Sequence, residues 1–262
     1  MSLSDAELDR YARHIVLREV GGAGQARIKA ARILVIGAGG IGSPAIQYLA
    51  AAGVGQLAIV DDDLVDLSNL QRQTLFGTDD VGKSKAGVAK ARVHALNPHV
   101  EAVAIEERLD ARGADRVRDF NAVIDGTDNF ATRLAVADAC QRHHVPLVSA
   151  ALAQFEGQLG VFRGWEADKP CYRCFVGQDP EREGMTCAEQ GVLGALAGVM
   201  GSLAALEAIR AVAPFGDDPA GKLLLVDALA LRFRTLTLPK DPGCTGCGAG
   251  ISGPGLNAGT MG

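Results

Sequence analysis

Four of the six cysteines in this 262-residue chain stand in two Cys-x-x-Cys pairs, Cys171/Cys174 and Cys244/Cys247. Thiolates are delivered to a tetrahedral Zn2+ at that spacing, and two pairs make a four-sulfur set closed to substrate. The pairs lie farther apart than in a compact zinc ribbon, so one structural zinc competes with two separate redox pairs, and zinc is preferred. Cys187, in Met185-Thr186-Cys187-Ala188-Glu189, is unpaired and reads either as a buried small residue or as an accessible nucleophile. Cys140 sits in an alanine-rich helical stretch and reads as core. The five histidines have no ligand spacing with the cysteines.

A second group of residues is suited to phosphate. Gly37-Ala38-Gly39-Gly40-Ile41-Gly42 satisfies G-x-G-x-x-G directly after the apolar run Ile33 to Ile36, which brings bare backbone N–H groups to a helix N-terminus. Asp61 follows at the end of the next strand, where an acid binds ribose, and by itself this pairing favours NAD. Gly40 leaves the turn barer than a dinucleotide requires. Gly77 to Ser84 also matches the P-loop pattern, but polar residues precede it and Asp79 and Asp80 would put negative charge in the cradle, so a true P-loop is not expected. Lys83 and especially Lys85 are expected to reach phosphate from another direction. Ser68-Asn69-Leu70-Gln71-Arg72-Gln73 sets an arginine among amides, either as donors for a triphosphate or as an exposed polar loop. Asp128, just past the strand ending in Asp125, is either an oxygen ligand for Mg2+ or a helix N-cap.

These residues need a scaffold that gathers them. Ser4 and Glu7 form a capping box for a helix through about Val20, glycines 21 to 24 interrupt, and a short helix follows from Gln25 to Ala31. Helices are then expected at Ile41–Ala52, Ser84–Leu96, Ala111–Asp119 and Asn129–His144. They alternate with strands at Ile33–Ile36, Gln56–Val60, Glu101–Glu106, Ala122–Asp125 and Leu147–Ala151. Repeated βαβ units predict an α/β fold with a Rossmann-like, mostly parallel sheet and helices on both faces. Shorter strands, Gln158–Phe162, Lys222–Asp227 and Leu231–Leu238, extend it antiparallel.

Composition excludes several function classes. With 48% hydrophobic and 22% charged residues and a net charge of -5, the chain is an ordinary globular protein without the basic surface that nucleic acid demands. The N-terminus lacks the apolar core of a signal peptide. The most apolar stretch, Val192 to Leu206, stops at Glu207, short of the roughly 18 residues of a membrane span, and reads as a buried helix. A cytoplasmic protein without membrane or nucleic-acid partners is expected.

GAGGIG, the acidic strand end, SNLQRQ, VGKSKA, GTDNFATR, CYRC, TCAEQGVLG and CTGC occur in this order from about Asp5 to Cys247. Together they resemble the bacterial E1-like adenylyltransferases of the MoeB/ThiF/HesA family, which activate ubiquitin-like sulfur carrier proteins. The resemblance implies that Gly40 and Asp61 contact adenosine and its ribose. It further implies that Ser68, Asn69, Leu70, Gln71, Arg72, Lys85, Asp128 and Asn129 hold ATP and Mg2+, and that Cys171, Cys174, Cys244 and Cys247 bind Zn2+. In the family, the arginine of an N-terminal Tyr-x-Arg-Gln motif reaches the neighbouring subunit's ATP. Tyr11-Ala12-Arg13-His14 matches at Arg13 and carries His14 for the glutamine, which implies a homodimer. Cys187 matches a cysteine that some members use for a thioester or persulfide.

The implied reaction adenylates a carrier's C-terminal Gly-Gly carboxylate for sulfur transfer towards molybdopterin, thiamin or thiolated tRNA, with a sulfur donor protein as a further partner. Some relatives carry a C-terminal rhodanese domain, and the chain ends before one. One domain is expected over 1–248, with N-terminal helices in 1–31, a nucleotide core in 32–151 and a carrier-binding and zinc part in 152–248. A disordered tail is expected over 249–262. The competing classes are a zinc-containing NAD-dependent oxidoreductase, for which no hydride-transfer acid or base is visible, and a non-catalytic carrier-binding scaffold.

Overall fold

β1 (Arg32–Ile36) shows why the chain folds around a parallel sheet. Its residues Ile33, Leu34, Val35 and Ile36 are all 0–2% exposed, and each burial contributes on the order of 2 kcal/mol. A strand apolar on both faces must lie between two helical layers. The computed structural model describes residues 3–177 and 191–248, and there β1 lies inside one eight-stranded sheet of order β3-β2-β1-β4-β5-β6-β7-β8. β2 (Gln56–Val60), β3 (Glu101–Ile105), β4 (Ala122–Asp125) and β5 (Leu147–Ala153) run parallel to it. β6 (Glu156–Phe162), β7 (Lys222–Asp227) and β8 (Arg232–Thr237) continue it antiparallel, so residues 32–151 and the C-terminal portion share one sheet.

Alternation along the strands divides the core between the two faces. Ile33, Val35, Leu57, Ile59, Ile124 and Val148 pack against α3 (Gly42–Ala52), α4 (Lys85–Leu96) and α7 (Gly194–Val212). Leu34, Ile36, Ala58, Val60, Val123 and Leu147 pack against α5 (Phe130–His143), α6 (Tyr172–Val176) and a 3-10 turn at Gly113–Asp119. Strand order reverses between β1 and β4, which opens a crevice at the carboxyl ends of the parallel strands.

β5 runs two residues past its expected end and β6 starts two residues early, and four helical segments differ from expectation by more than a residue. α1 (Asp5–Ile15) has its capping box, with the Ser4 hydroxyl accepting from Glu7 N–H, but it ends five residues early in a turn. α2 (Gly21–Ala30) runs through the glycines expected to break it. Gln25, fully buried, donates to the Ala52 carbonyl at 2.8 Å, and that tertiary anchor outweighs the cost of helical glycine. Ala111–Asp119 becomes the shorter 3-10 turn, started by the Asp110 carboxylate accepting from Arg112 and Gly113 N–H. α7 continues past Glu207 because Arg210 pairs with that carboxylate at 3.0 Å one turn on. Its 19 residues are long and apolar enough to cross a membrane, and its Leu196, Ala197, Met200, Ala204 and Ala208 are instead buried against α3, β5 and β6.

Candidate nucleotide site and metal centre

The glycine turn forms the floor of the crevice. Gly37 takes φ +86°, a left-handed conformation natural to glycine, while its N–H donates to the Val60 carbonyl at 2.8 Å and ties β1 to β2. Among the described residues the N–H groups of Gly39 and Gly40 have no hydrogen-bond acceptor, and both glycines line a cavity of about 550 Å³. Unspent donors before a helix N-terminus are an anion site. Asp61 borders it, its carboxylate accepting from Ala38 N–H at 2.7 Å and Asp63 N–H at 2.9 Å. Burial pushes the Asp61 carboxyl above its ordinary value, against these donors and the nearby Lys85 charge.

Two cations face this floor. Lys85 opens α4, is 4% exposed, and places Nζ 2.8 Å from the Asp63 carboxylate, which itself is largely open to solvent. Arg72 donates to the Ser68 carbonyl at 3.2 Å, and its stem passes 3.7 Å from where a Cβ on Gly40 would stand. Gln73 completes this wall: its Nε2 donates to Asn69 Oδ1 at 2.9 Å, and its buried Oε1 has no partner. An unspent buried acceptor fits a ligand hydroxyl or amino group better than a phosphate.

The opposite wall resolves the alternative left open for Asp128. Asn129 caps α5, its Oδ1 accepting from Thr132 N–H at 3.0 Å, so the Asp128 carboxylate is left exposed at the cavity without a hydrogen bond among the described residues. Below it the Asp125 carboxylate accepts from the N–H and hydroxyl of Thr127, at 3.0 and 2.8 Å. Arg133, 6% exposed, donates to the Thr127 carbonyl. Arg133 has no role among the sequence expectations, although it closes the GTDNFATR motif and stands in the first turns of a helix whose residues Val136 and Ala137 are core.

Gly40, Asp61, Asn69, Arg72, Lys85, Asp128 and Asn129 therefore share one cavity. Other candidates stand elsewhere. The Ser68 hydroxyl donates to Asp66 at 2.5 Å, Leu70 packs on the core, and Gln71 is exposed with its backbone against Gly194. Arg13 is exposed on α1 and does not line the cavity, while neighbouring His14 lies 3.0 Å from Gln25. Cys187 lies outside the described residues, as does the 249–262 tail. In the P-loop lookalike the Asp80 carboxylate accepts from Gly77 N–H at 2.9 Å and pairs with Arg92 at 2.8 Å and Lys83 at 3.3 Å. The Gly77 donor and those cations hold its carboxyl at about 2, so the loop encloses its own anion, and Lys83 is spent there.

The two cysteine pairs do meet. Sγ atoms lie 3.9 Å apart for Cys171 and Cys174, 3.6 Å for Cys171 and Cys244, and 3.4 Å for Cys174 and Cys247. Sulfurs about 2.3 Å from a tetrahedral Zn2+ are about 3.8 Å apart, so the set fits a metal ion. Backbone N–H groups of Asp241 and Gly246 point at Cys174 and Cys244 sulfurs, at 3.5 and 3.4 Å, as suits thiolate charge.

Comparison with known proteins agrees with this geometry: the ThiF family matches residues 11–246. The chain belongs to the ThiF family. Its curated relatives include the sulfur carrier protein adenylyltransferase of Thermus thermophilus, 46% identical over 95% of this chain and 93% of that one. The SAMP-activating enzyme E1 of Haloferax volcanii is 44% identical over 95% and 92%. The molybdopterin-synthase adenylyltransferase of Salmonella typhimurium is 42% identical over 94% and 98%. A crystal structure of E. coli MccB with ATP, 22% identical, shares the fold with a TM-score of 0.81 over 94% of this chain and 75% of that one.

Proposed function

We propose that this ThiF-family chain is an ATP-dependent adenylyltransferase that activates the C-terminal Gly-Gly carboxylate of a ubiquitin-like sulfur carrier protein. The observation that carries the reading is the convergence of Arg72, Lys85 and the uncommitted Asp128 on one cavity above the free Gly39 and Gly40 donors. The carrier carboxylate attacks the α-phosphorus, a carboxylate oxygen–phosphorus bond forms, the bond to the bridging oxygen breaks, and pyrophosphate leaves with the electron pair. Such a step asks for positioning and charge neutralisation. Gly40 receives the nucleotide's phosphate side, Asp61 accepts from ribose hydroxyls, and Arg72 and Lys85 offset charge on the leaving pyrophosphate. Asp128, with Asn129 beside it, would hold Mg2+, which supplies further neutralisation of the phosphates when bound. The names of the relatives support the adenylation chemistry and the class of partner.

The four-cysteine centre takes Zn2+ as a structural ion, since all four positions are filled by sulfur. Arg13 completes the site of a second copy. Its exposure away from its own cavity supports this, as do Val199 and Leu206, 41% and 42% exposed and seven residues apart on one stripe of α7. Cys187 serves a later sulfur-transfer step with a donor protein. The enzyme works in the cytoplasm, on a carrier of the molybdopterin, thiamin or tRNA thiolation pathways. An NAD oxidoreductase would use Asp61 the same way, and its diphosphate would also meet Lys85 and Arg72, but it forms no leaving pyrophosphate and gives Asp128 and a divalent cation no task.

The test is ATP–pyrophosphate exchange with candidate carriers ending in Gly-Gly, added one at a time. Exchange that depends on the carrier, survives Cys187→Ala and is lost in Lys85→Ala is expected. ATP binding with no exchange for any carrier would leave only a binding scaffold.

A further inference from the structure

A second cavity, of about 410 Å³, opens on the sheet beside the nucleotide site, and Ala151, Leu152, Ala153 and Gln158 line both. Strand register sets its floor. Ala151 pairs with Gln158, Gln158 with Leu225 and Leu225 with Arg234, so these four stand in one row across β5, β6, β7 and β8. Ala153, Glu156, Asp227 and Arg232 form a second row on the same face, two residues along each strand. The rows are roughly 7 Å apart and each spans three strand spacings, roughly 14 Å. That is the width of one extended chain and the length of about four of its residues. The charges in this trough are unequally committed. Arg232 pairs with Asp227 at 3.3 Å, and that carboxylate also accepts from Ala230 N–H at 3.0 Å. Arg234 is exposed at the outer end, and its side chain has no hydrogen bond or ion pair among the described residues. Glu156, beside the turn between β5 and β6 at the inner end, is likewise exposed and without an ion pair among them.

The trough thus leads away from the nucleotide cavity and changes character along its length. At the inner end the alanines leave room for a chain but contribute little bulk, and Glu156 repels an acidic side chain there. The half-buried Gln158 amide, which has no side-chain hydrogen bond among the described residues, offers both a donor and an acceptor to a peptide backbone. Leu225 is apolar in mid-course, and the free guanidinium of Arg234 ends the row. A planar fork of donors matches a carboxylate at two points. We propose that the occupant is the extended C-terminal tail of the carrier, and that Arg234 is a specificity-determining residue that selects a carboxylate side chain five or six residues from the tail's end. With the last two residues in the nucleotide cavity, about four more cross the trough to β8, which sets that count. This rests on the adenylation reading, in which the carrier's Gly-Gly carboxylate is brought to ATP.

The experiment measures fluorescence anisotropy of N-terminally labelled peptides of roughly ten residues ending in Gly-Gly, which fill a trough of this length with residues to spare. Each carries glutamate or glutamine at a single position between the third and the eighth from the end. They are titrated with the full chain in the presence of Mg2+ and a non-hydrolysable ATP analogue, and ATP binding to each protein is measured separately by calorimetry. Glutamate at the fifth or sixth position is expected to bind about fivefold more tightly than glutamine, as an ion pair partly open to solvent allows, and the preference should fade as salt is raised. Arg234→Gln should abolish the preference, and Arg234→Glu should favour lysine at the same position. Equal affinity for glutamate and glutamine at every position overturns the inference, as does a preference that survives Arg234→Gln or a failure of every peptide to bind. N-acetylglutamate that displaces a peptide at the peptide's own concentration would make the trough a small-anion site and overturn it as well. A parent chain that binds ATP but shows no acid preference sinks this inference alone, whereas one that binds no ATP sinks the adenylation reading too.

Discussion

Replacing Gly42 by alanine should separate the fold of the nucleotide turn from its use. A Cβ at Gly42 would stand 1.8 Å from the Gly37 carbonyl oxygen and 2.8 Å from its carbon. An ordinary carbon–oxygen contact is more than 1 Å longer than the first of these, so the turn or α3 must move. Neither moves freely, since Gly37 N–H is bonded to Val60 and α3 is fixed by Ala45 and Ile46, both 0% exposed. Overpacking against fixed backbone costs about 3 kcal/mol, which for a chain of this size lowers Tm by roughly 6–12 °C. ATP affinity falls with it, because the free Gly39 and Gly40 donors lie in the displaced segment. Gly39→Ala is the contrast. Its Cβ meets only Gln73 Nε2, at 3.7 Å, an ordinary contact, and Gly39 lines the cavity. The methyl group then takes room from the ligand and none from the core: Tm stays within about 2 °C, while ATP binding weakens more than about tenfold. Thermal denaturation followed by circular dichroism and calorimetric ATP titration measure both. A Gly42→Ala protein that melts like the parent, or a Gly39→Ala protein that melts as low as Gly42→Ala, would refute the reasoning.

Three other expectations use different parts of the molecule. Burial favours a neutral Glu7, but the Lys29 ammonium at 2.7 Å and the Ser4 donors overrule it and hold the carboxyl at about 2. A depressed folded value gives stability that is complete above the unfolded value of 4.5 and lost as pH falls towards 2. With the pair partly screened by solvent, Glu7→Gln should cost about 1–2 kcal/mol in urea denaturation at pH 7, and the two curves should converge near pH 2; a constant gap would exclude the ion pair as the cause. Metal analysis should give one zinc per chain, lost equally in Cys174→Ser and Cys244→Ser because each pair supplies two of four sulfurs; a zinc-free parent with two disulfides by mass would restore the redox-pair reading. Arg13→Ala and Lys85→Ala subunits, each inactive alone in pyrophosphate exchange, should together regain roughly a quarter of parental activity when mixed as dimers, since half the dimers are mixed and one of their two sites is intact. No recovery would place Arg13 in its own subunit's site or in none.

The strands were legible because the information is local. Ile33 to Ile36 and Gln56 to Val60 are short apolar runs ended by glycine or aspartate, and the strands end where expected, the first beginning one residue early at Arg32. The misjudged helices depend on partners distant in sequence or one turn ahead. Gly22 and Gly24 look like breakers until Gln25 is seen bonded to Ala52, and Glu207 looks like a terminus until Arg210 neutralises it within α7. Glycine and charge signals are propensities of a free chain, and a buried anchor overrides them.

For the site, the same residue types gave opposite outcomes in two glycine-containing turns, and the difference lies in which donors are already used. Gly77 N–H is bonded to the Asp80 carboxylate three residues on, so the P-loop lookalike closes on itself. Gly39 and Gly40 N–H have no acceptor among the described residues, and the carboxylate of Asp61 on the same cavity accepts instead from Ala38 and Asp63 N–H. The sequence places an acid near both turns, but only the distances separate an anion site from a filled one. Asp128 follows the same logic with the sign reversed: one helix has one N-cap, Asn129 takes it, and the carboxylate next to it is left for a cation. A glycine turn with free donors and an acid at the ribose position would serve NAD as well as ATP. On the proposed reading the charge opposite tells them apart: a buried Lys85, an Arg72 laid over Gly40 and an Asp128 without a hydrogen bond among the described residues suit a triphosphate with its counterion, whereas the diphosphate of NAD carries less charge and leaves Asp128 no task.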